Sequence, residues 1–249
     1  MSTIISRLPE WVKKPLRRFK DVVKEVAYYG KGRLCPVCGK SSRRFCPFGV
    51  VPRKDAQCAY CGALERHRFL WLYLLRKTDL FDGTPKKMLH VAPELCFESR
   101  FKKQLGDNYL TADLFNALAM VKMDITNIEY PDQSFDVIYC SHVLEHVQDD
   151  KKAMREFHRV LKSNGYAILL VPVTTVKTFE DPSILEPLER LRAFGGEDHV
   201  RLYGPDYVDR LREAGFRVEI TEVNDLVKNE EAIRMGLTPA SGQIYYCTK

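Results

Sequence analysis

Along the chain the spacing of apolar residues changes character twice. Over residues 7–29, Leu8, Trp11, Val12, Leu16, Phe19, Val22, Val23 and Val26 recur every three or four positions, which predicts a helix whose main body starts at Pro15. Between 33 and 62 that period disappears. The segment holds Cys-Pro and Cys-Ala turns, several glycines and few apolar runs. A second helical stripe follows (Leu64, Phe69, Leu70, Leu72, Tyr73, Leu75) and stops at Gly83-Thr84-Pro85. Beyond it, short apolar runs alternate with amphipathic stretches. Strands are predicted over 88–91, 109–113, 121–123, 135–140, 166–171, 216–220 and 243–247, and helices over 97–105, 150–162 and 205–214. Asn164-Gly165 is expected to stop the helix over 150–162, and Pro205 and Gly215 bracket the helix over 205–214.

Strands alternating with helices imply an α/β fold with a mostly parallel, doubly wound sheet. The pattern divides the chain into a helical arm over 1–32, a cysteine-bearing module over 33–66, a connecting helix over 67–85 and the α/β domain over 86–249. Residues 173–203 lack a regular period and hold Asp181-Pro182, Pro187 and Gly195-Gly196. An insertion of this kind beside strand ends is expected to cover an acceptor site.

Charge adds one feature to this plan. The net charge is +6, and residues 1–33 hold nine Lys/Arg against three Asp/Glu, so the remainder is balanced. The arm is therefore a basic amphipathic helix. It reads either as a solvated face or as a contact for an anionic membrane surface or a polyanionic partner. Hydrophobic residues make up 45% of the chain, enough for a sizeable core, yet no run of eighteen apolar residues exists to span a bilayer. The first residues do not read as a secretory signal, so a reducing, cytoplasmic location is expected.

Four of the eight cysteines form two tight pairs, Cys35-Pro36-Val37-Cys38-Gly39 and Cys58-Ala59-Tyr60-Cys61-Gly62. Two C-x-x-C turns at this separation suit a tetrahedral thiolate site for structural zinc, and each following glycine can take the positive φ of such a turn. Four reduced thiols are the alternative. Cys46 and His67 are possible substitute ligands outside the paired turns, while Cys96, Cys140 and Cys247 lie on apolar elements and read as buried thiols. Arg43, Arg44, Arg53, Lys54, Arg66 and Arg68 surround the cysteines, which leaves RNA contact open as a lesser reading.

In a doubly wound sheet, ligands bind beyond the carboxyl ends of the central strands. Three acidic residues fall at successive ends: Glu94 after the first strand, Asp113 closing the second and Asp124 after the third. A carboxylate at Asp113 can accept both hydroxyls of a ribose, and one at Asp124 can accept from an adenine amino group, with Ile125 or Leu114 covering the ring.

Ser134-Phe135-Asp136-Val137-Ile138-Tyr139-Cys140-Ser141-His142-Val143-Leu144-Glu145-His146-Val147 resembles the fourth-strand segment of class I methyltransferases. The following helix, Arg159-Val160-Leu161-Lys162-Ser163-Asn164-Gly165 and the fifth strand continue a likeness to the type 11 methyltransferases that covers 86–249 and is specific over 134–172. The resemblance implies a Rossmann-like, seven-stranded sheet with its last strand antiparallel, S-adenosylmethionine as cofactor, and Ser141 and His142 at the cofactor edge. Cys61-Gly62-Ala63-Leu64-Glu65-Arg66-His67-Arg68, His90-Val91-Ala92-Pro93-Glu94 and Asp198-His199-Val200-Arg201 together resemble a zinc-ribbon-bearing branch of these enzymes. That family places an acidic residue and a glycine-rich loop after the first strand. Here the positions read His90, Ala92, Glu94 and Cys96, without glycine. Glu94 either replaces the missing acid opposite the cofactor's ammonium or simply favours a helix N-terminus.

Methyl transfer needs a base only where the acceptor must lose a proton. His142, His146 and His199 are the candidates, with Glu145 and His146 read first as anchors of the turn after the fourth strand. The expected activity is transfer to an oxygen or nitrogen of a small-molecule or saccharide acceptor. The alternative is a binding module without catalysis that uses the ribbon and arm on nucleic acid or a membrane surface.

Overall fold

A computed structural model of the chain describes residues 22, 23, 26–49 and 51–249. Most of the basic arm predicted over 1–32 therefore lies outside the described residues. In chain order the elements are β1 (Arg33–Leu34), β2 (Ser41–Ser42), β3 (Cys46–Phe48), β4 (Arg53–Gln57), α1 (Glu65–Lys77), β5 (Met88–Val91), α2 (Leu95–Leu105), β6 (Tyr109–Asp113), β7 (Val121–Lys122) and β8 (Phe135–Ser141). They continue with α3 (Asp150–Val160), β9 (Leu161–Leu170), β10 (Phe179–Glu180), α4 (Pro187–Phe194), β11 (Arg201–Leu202), α5 (Tyr207–Glu213), β12 (Arg217–Thr221), α6 (Val223–Leu226), α7 (Asn229–Met235) and β13 (Ile244–Thr248). Among the described residues no helix is long and apolar enough to cross a membrane.

The chain forms two compact units. The first comprises the described residues up to Leu72 together with Val227–Ser241, and the second comprises Tyr73–Leu226 and Gly242–Lys249.

In the first unit β1 pairs antiparallel with β2, and β3 with β4. Such short strands bury little, and a single cation ties the unit together. Arg68 is completely buried. Its guanidinium donates to the carbonyls of Ala56, Ala63, Met235 and Gly236 at 2.7–2.9 Å, and lies over the Phe45 ring 4.1 Å from its centre. Each donor satisfied this way offsets the cost of burying the charge. Gly236 lies in the left-handed region with φ 60°, and a Cβ there would stand 2.9 Å from the Phe45 ring. Arg68, one of the cations that the sequence sets around the cysteines, is thus a core residue, and Arg53 is paired with Glu65 at 3.1 Å.

The second unit is built on a seven-stranded sheet of order β12-β13-β9-β8-β5-β6-β7. β5, β6, β7, β8 and β9 run parallel, while β13 is antiparallel to both of its neighbours. β5 and β8 lie in the middle of the sheet, β5 buried throughout and β8 buried except at Asp136, which is why both read as mainly apolar runs. α3 is capped by Asp149, whose side chain accepts from the Lys152 amide, and buries Ala153, Met154, Phe157 and Val160.

One boundary differs from the sequence expectation. α3 ends at Val160, and Asn164-Gly165 belongs to β9. Leu161 pairs with Phe135, but Tyr166 pairs with Val137, so residues 162–165 bulge from the ladder. A Cβ on Gly165 would stand 2.5 Å from the Asp136 carbonyl oxygen. The glycine is required by a close backbone approach and does not act as a helix stop.

The insertion over 173–203 is more regular than its sequence suggests. β10 pairs with β11, and α4 runs from Pro187 to a left-handed Gly195. Arg201 fastens this strap to the turn after β8. Almost wholly buried, it donates to the carbonyls of Leu144, Val147 and Gln148 and pairs with Glu180 at 3.0 Å. Tyr203 donates to Asp150 at 2.6 Å, and Arg210 pairs with the same carboxylate at 3.0 Å.

Candidate functional site

The carboxyl ends of β5, β6 and β8 meet at the middle of the sheet, where a doubly wound fold binds its ligand. Beyond β5 the chain turns at Ala92, which takes φ 49°. The left-handed turn that a glycine would make freely is made here by an alanine at some strain. Glu94 precedes α2 but does not cap it. Its side chain folds back instead. Oε2 lies 2.7 Å from His90 Nε2, and Oε1 accepts from the Tyr139 hydroxyl at 2.8 Å. His90 itself is wholly buried, with its other nitrogen 2.7 Å from the Tyr109 hydroxyl. The expectation that His90 touches the cofactor needs correction. With no surface to offer, it holds Glu94.

At the end of β6, Asp113 Oδ1 accepts from the amides of Phe115 and Asn116 at 2.7 and 2.8 Å. That turn fixes the carboxylate and leaves Oδ2 outside both bonds. Leu114 is exposed beyond it. Asp124 is exposed and uses Oδ1 to hold the Thr126 amide and hydroxyl at 2.8 Å, while neighbouring Ile125 is buried. At the end of β8, Ser141 is nearly buried and its hydroxyl has no partner. His142 follows at φ 55° with a half-exposed ring. The structure therefore gathers Ala92, Glu94, Asp113, Ser141 and His142 along one edge of the sheet, with Asp124 and Ile125 past the adjoining β7.

His199 does not lie in the polar cluster that its sequence neighbours suggest. Arg201 and Tyr203 turn to the strap, and Asp198 reaches His146, with 3.2 Å from Oδ2 to Nδ1. His199 instead meets the His146 ring edge-on, with centroids 4.6 Å apart. Glu145 and His146, which read as turn anchors, thus converge with His199, a meeting that sequence spacing does not disclose. Inside the strap a cavity of about 240 Å³ lies between Gln148, Glu180, Ile184, Arg190 and Arg201.

In the first unit Cys35, Cys38, Cys58 and Cys61 converge, their sulfurs all within 4.8 Å of one another. Cys35 Sγ is 3.7 Å from Cys61 Sγ, and Cys38 Sγ is 3.8 Å from Cys58 Sγ. Zinc–sulfur bonds of about 2.3 Å in a tetrahedron put the sulfurs about 3.8 Å apart, so the cluster fits one structural zinc. Gly39 and Gly62 take φ 71° and 76°, and their amides donate to the Cys35 and Cys58 carbonyls at 2.8 and 3.0 Å. Cys46 and His67 lie outside the cluster. Cys96, Cys140 and Cys247 are buried, and burial holds the last two thiols above the usual range.

Comparison with known proteins agrees with this fold. Residues 87–169 match the methyltransferase domain family. Over 75 residues the chain is 36% identical to an uncharacterized methyltransferase, YcgJ, of Bacillus subtilis, which covers 30% of this chain and 28% of that protein. It is 30% identical over 125 residues to the 27-O-demethylrifamycin SV methyltransferase of Amycolatopsis mediterranei, covering 48% of this chain and 43% of that one. The chain thus spans less than half the length of these curated relatives. Among solved structures, an S-adenosylmethionine-dependent methyltransferase of Mesorhizobium loti superposes with a TM-score of 0.52 at 14% identity, over 73% of this chain and 98% of that one. Sheet order and the antiparallel last strand give the second unit the fold of that methyltransferase, and residues 87–169 carry its match to the methyltransferase domain family.

Proposed function

We propose that the chain moves a methyl group from S-adenosylmethionine to an oxygen or nitrogen atom of a small-molecule or saccharide acceptor. The observation that carries this reading is the row of fixed carboxylates at the carboxyl edge, above all Asp113, whose Oδ1 closes its own turn while Oδ2 is left for a ligand.

S-adenosylmethionine supplies an electrophilic methyl, which the acceptor's lone pair takes as the methyl–sulfur bond breaks and its electrons pass to sulfur, leaving S-adenosylhomocysteine and a proton to be removed. Asp113 accepts the ribose hydroxyls, Asp124 accepts from the adenine amino group, and Leu114 and Ile125 flank the ring. Glu94, fixed by His90 and Tyr139, sets its negative charge against the cofactor's ammonium. Ala92 supplies the bend that a glycine makes in relatives, so the glycine-free loop does not by itself argue for a module that only binds. Ser141 and His142 close the edge at β8. His142 and His199 are the imidazoles on the acceptor side. A small acceptor is favoured by the balanced charge outside the arm, and by relatives named as phosphoethanolamine and ajmaline N-methyltransferases.

Calorimetric titration of the zinc-loaded chain with S-adenosylmethionine and S-adenosylhomocysteine tests the reading, with Asp113→Ala as control. Saturable binding lost in the variant supports it, and a folded wild type that binds neither compound overturns it.

A further inference from the structure

We propose that Glu145, His146 and His199 form a second metal site, separate from the cysteine cluster. It takes one divalent transition ion and presents it to an oxygen of the methyl acceptor. The inference rests on the methyltransferase reading only for the ion's purpose. The site itself rests on geometry.

The three side chains each bring a ligand atom within 4.8 Å of the others. Atoms bound about 2.1 Å from a common ion lie at most about 4.2 Å apart, so small side-chain rotations close the site. The hydrogen bonds set both imidazoles for ligation. His199 Nδ1 lies 3.0 Å from the Phe194 carbonyl oxygen, which can only accept. Nδ1 therefore carries the hydrogen, and the lone pair is on Nε2. His146 Nδ1 faces the Asp198 carboxylate at 3.2 Å with the same consequence. A histidine whose far nitrogen donates to a carbonyl or carboxylate is the usual support of a metal ligand.

Glu145 is the independent sign that something is bound here. Its side chain is 2% exposed, and Oε1 faces His142 Nδ1 at 3.4 Å. Oε2 is buried with no hydrogen-bond partner. An orphaned carboxylate oxygen in the interior carries a large desolvation cost, and a cation removes it.

The backbone is built to bring these groups together. The Val200 amide donates to the Glu145 carbonyl at 2.9 Å, joining the strap to the turn directly beside both ligands. Arg201 then clamps the carbonyls of Leu144, Val147 and Gln148 around them. A Cβ on Gly196 would stand 2.5 Å from His199 Cδ2, so only glycine admits the ring at this depth.

Two imidazoles and one carboxylate favour a first-row transition ion such as Zn²⁺, Co²⁺ or Mn²⁺ over Ca²⁺ or Mg²⁺, which prefer oxygen donors. Four thiolates close the coordination of the ribbon zinc, whereas three ligands leave positions open for a substrate. The site follows β8 directly, beside Ser141 and His142. The acceptor class it selects is one that offers oxygen ligands, such as vicinal hydroxyls, with methylation at oxygen. His199 then serves as a ligand, and His142 is left as the imidazole able to take the acceptor's proton.

The test is a cobalt(II) titration of the full chain with its ribbon already loaded with zinc, followed by visible absorption. Titration with S-adenosylhomocysteine runs in parallel. The expected result is weak ligand-field bands saturating at one equivalent without thiolate charge transfer. Cobalt affinity should fall at least a hundredfold in Glu145→Gln and His199→Ala, while zinc content and S-adenosylhomocysteine affinity stay at wild-type values. No saturable cobalt binding, binding only with thiolate charge transfer, or binding unchanged in both variants would overturn the proposal. S-adenosylhomocysteine binding without cobalt binding rejects the metal site and keeps the methyltransferase reading. Cobalt binding without S-adenosylhomocysteine binding does the reverse.

Discussion

The His90 imidazole and the Glu94 carboxylate are 2.7 Å apart, four residues from each other in sequence, and neither is free to turn. The carboxylate makes Nε2 the donor, so Nδ1 accepts from the Tyr109 hydroxyl at 2.7 Å. Burial raises the Tyr109 phenol above its usual range, so the hydroxyl stays protonated even in alkaline solution. A third bond comes from Tyr139. A carboxylate held this firmly at a strand end is pre-organised for a cation. Glu94→Ala is therefore expected to weaken S-adenosylhomocysteine binding at least as much as Asp113→Ala. His90→Phe should weaken it less, because it releases Glu94 without removing it. Calorimetry reads both variants, and unchanged affinity in Glu94→Ala would remove Glu94 from the site.

Asp113 and Asp124 should differ in weight. Asp113 both orders the turn through Phe115 and Asn116 and is expected to accept from two hydroxyls. Asp124 is exposed, and its proposed partner is a single amino group. Asp113→Ala is predicted to reduce cofactor affinity at least tenfold, about 1.4 kcal/mol, and Asp124→Ala by a smaller factor. Equal losses would mean that the ribose is not held at Asp113.

These carboxylates were legible in the sequence because each closes or follows a strand, and buried strands advertise themselves as apolar runs. Strands β5 and β6 fall on the residues predicted for them. What the sequence hid is made by distant contacts. Gly165 reads as a helix stop until the Asp136 carbonyl is seen against it. Arg68 reads as one of the surface cations around the cysteines until carbonyls from Met235 and Gly236, far along the chain, take up its donors. For the same reason Val227–Ser241 could not be assigned in advance to the cysteine-bearing unit. Glu145 and His146 stand out as a pair, but His199 is brought to them by Arg201 and Gly196, which no local pattern records.

The cysteine cluster predicts a defined stoichiometry. Cys35, Cys38, Cys58 and Cys61 fit one ion, and Cys46 stands outside. Purified chain with the Glu145 site stripped by mild chelation should retain one zinc, measured by a colorimetric chelator after denaturation. Cys58→Ser should lose that zinc and lower the melting temperature, since binding of the ion is coupled to folding of the module that holds it. Cys46→Ser should retain it. Zinc retained in Cys58→Ser, or lost in Cys46→Ser, would mean that the ligand set is different.

Acid stability should depend on Glu156. Its Oε1 accepts from Arg159 Nε, and Oε2 accepts from the other arm of that guanidinium and from the Ile128 amide, all at 2.8 Å. The Arg159 hydrogen bonds hold its pKa below the usual glutamate range, outweighing a smaller rise from burial. A carboxyl depressed in the folded state contributes stability above its unfolded value, and loses it as pH falls through the folded value. The contribution is therefore present at pH 7 and disappears below about pH 4, where the unfolded chain takes up the proton first. Glu156→Gln should cost about 1 kcal/mol at neutral pH, a modest figure because the pair is partly exposed. It should also flatten the acid limb of the stability curve, so that variant and wild type converge near pH 3. Urea denaturation at pH 7, 5, 4 and 3 measures the difference. A gap that stays constant across that range would assign the cost to lost packing of α3 against Ile128 instead of to charge.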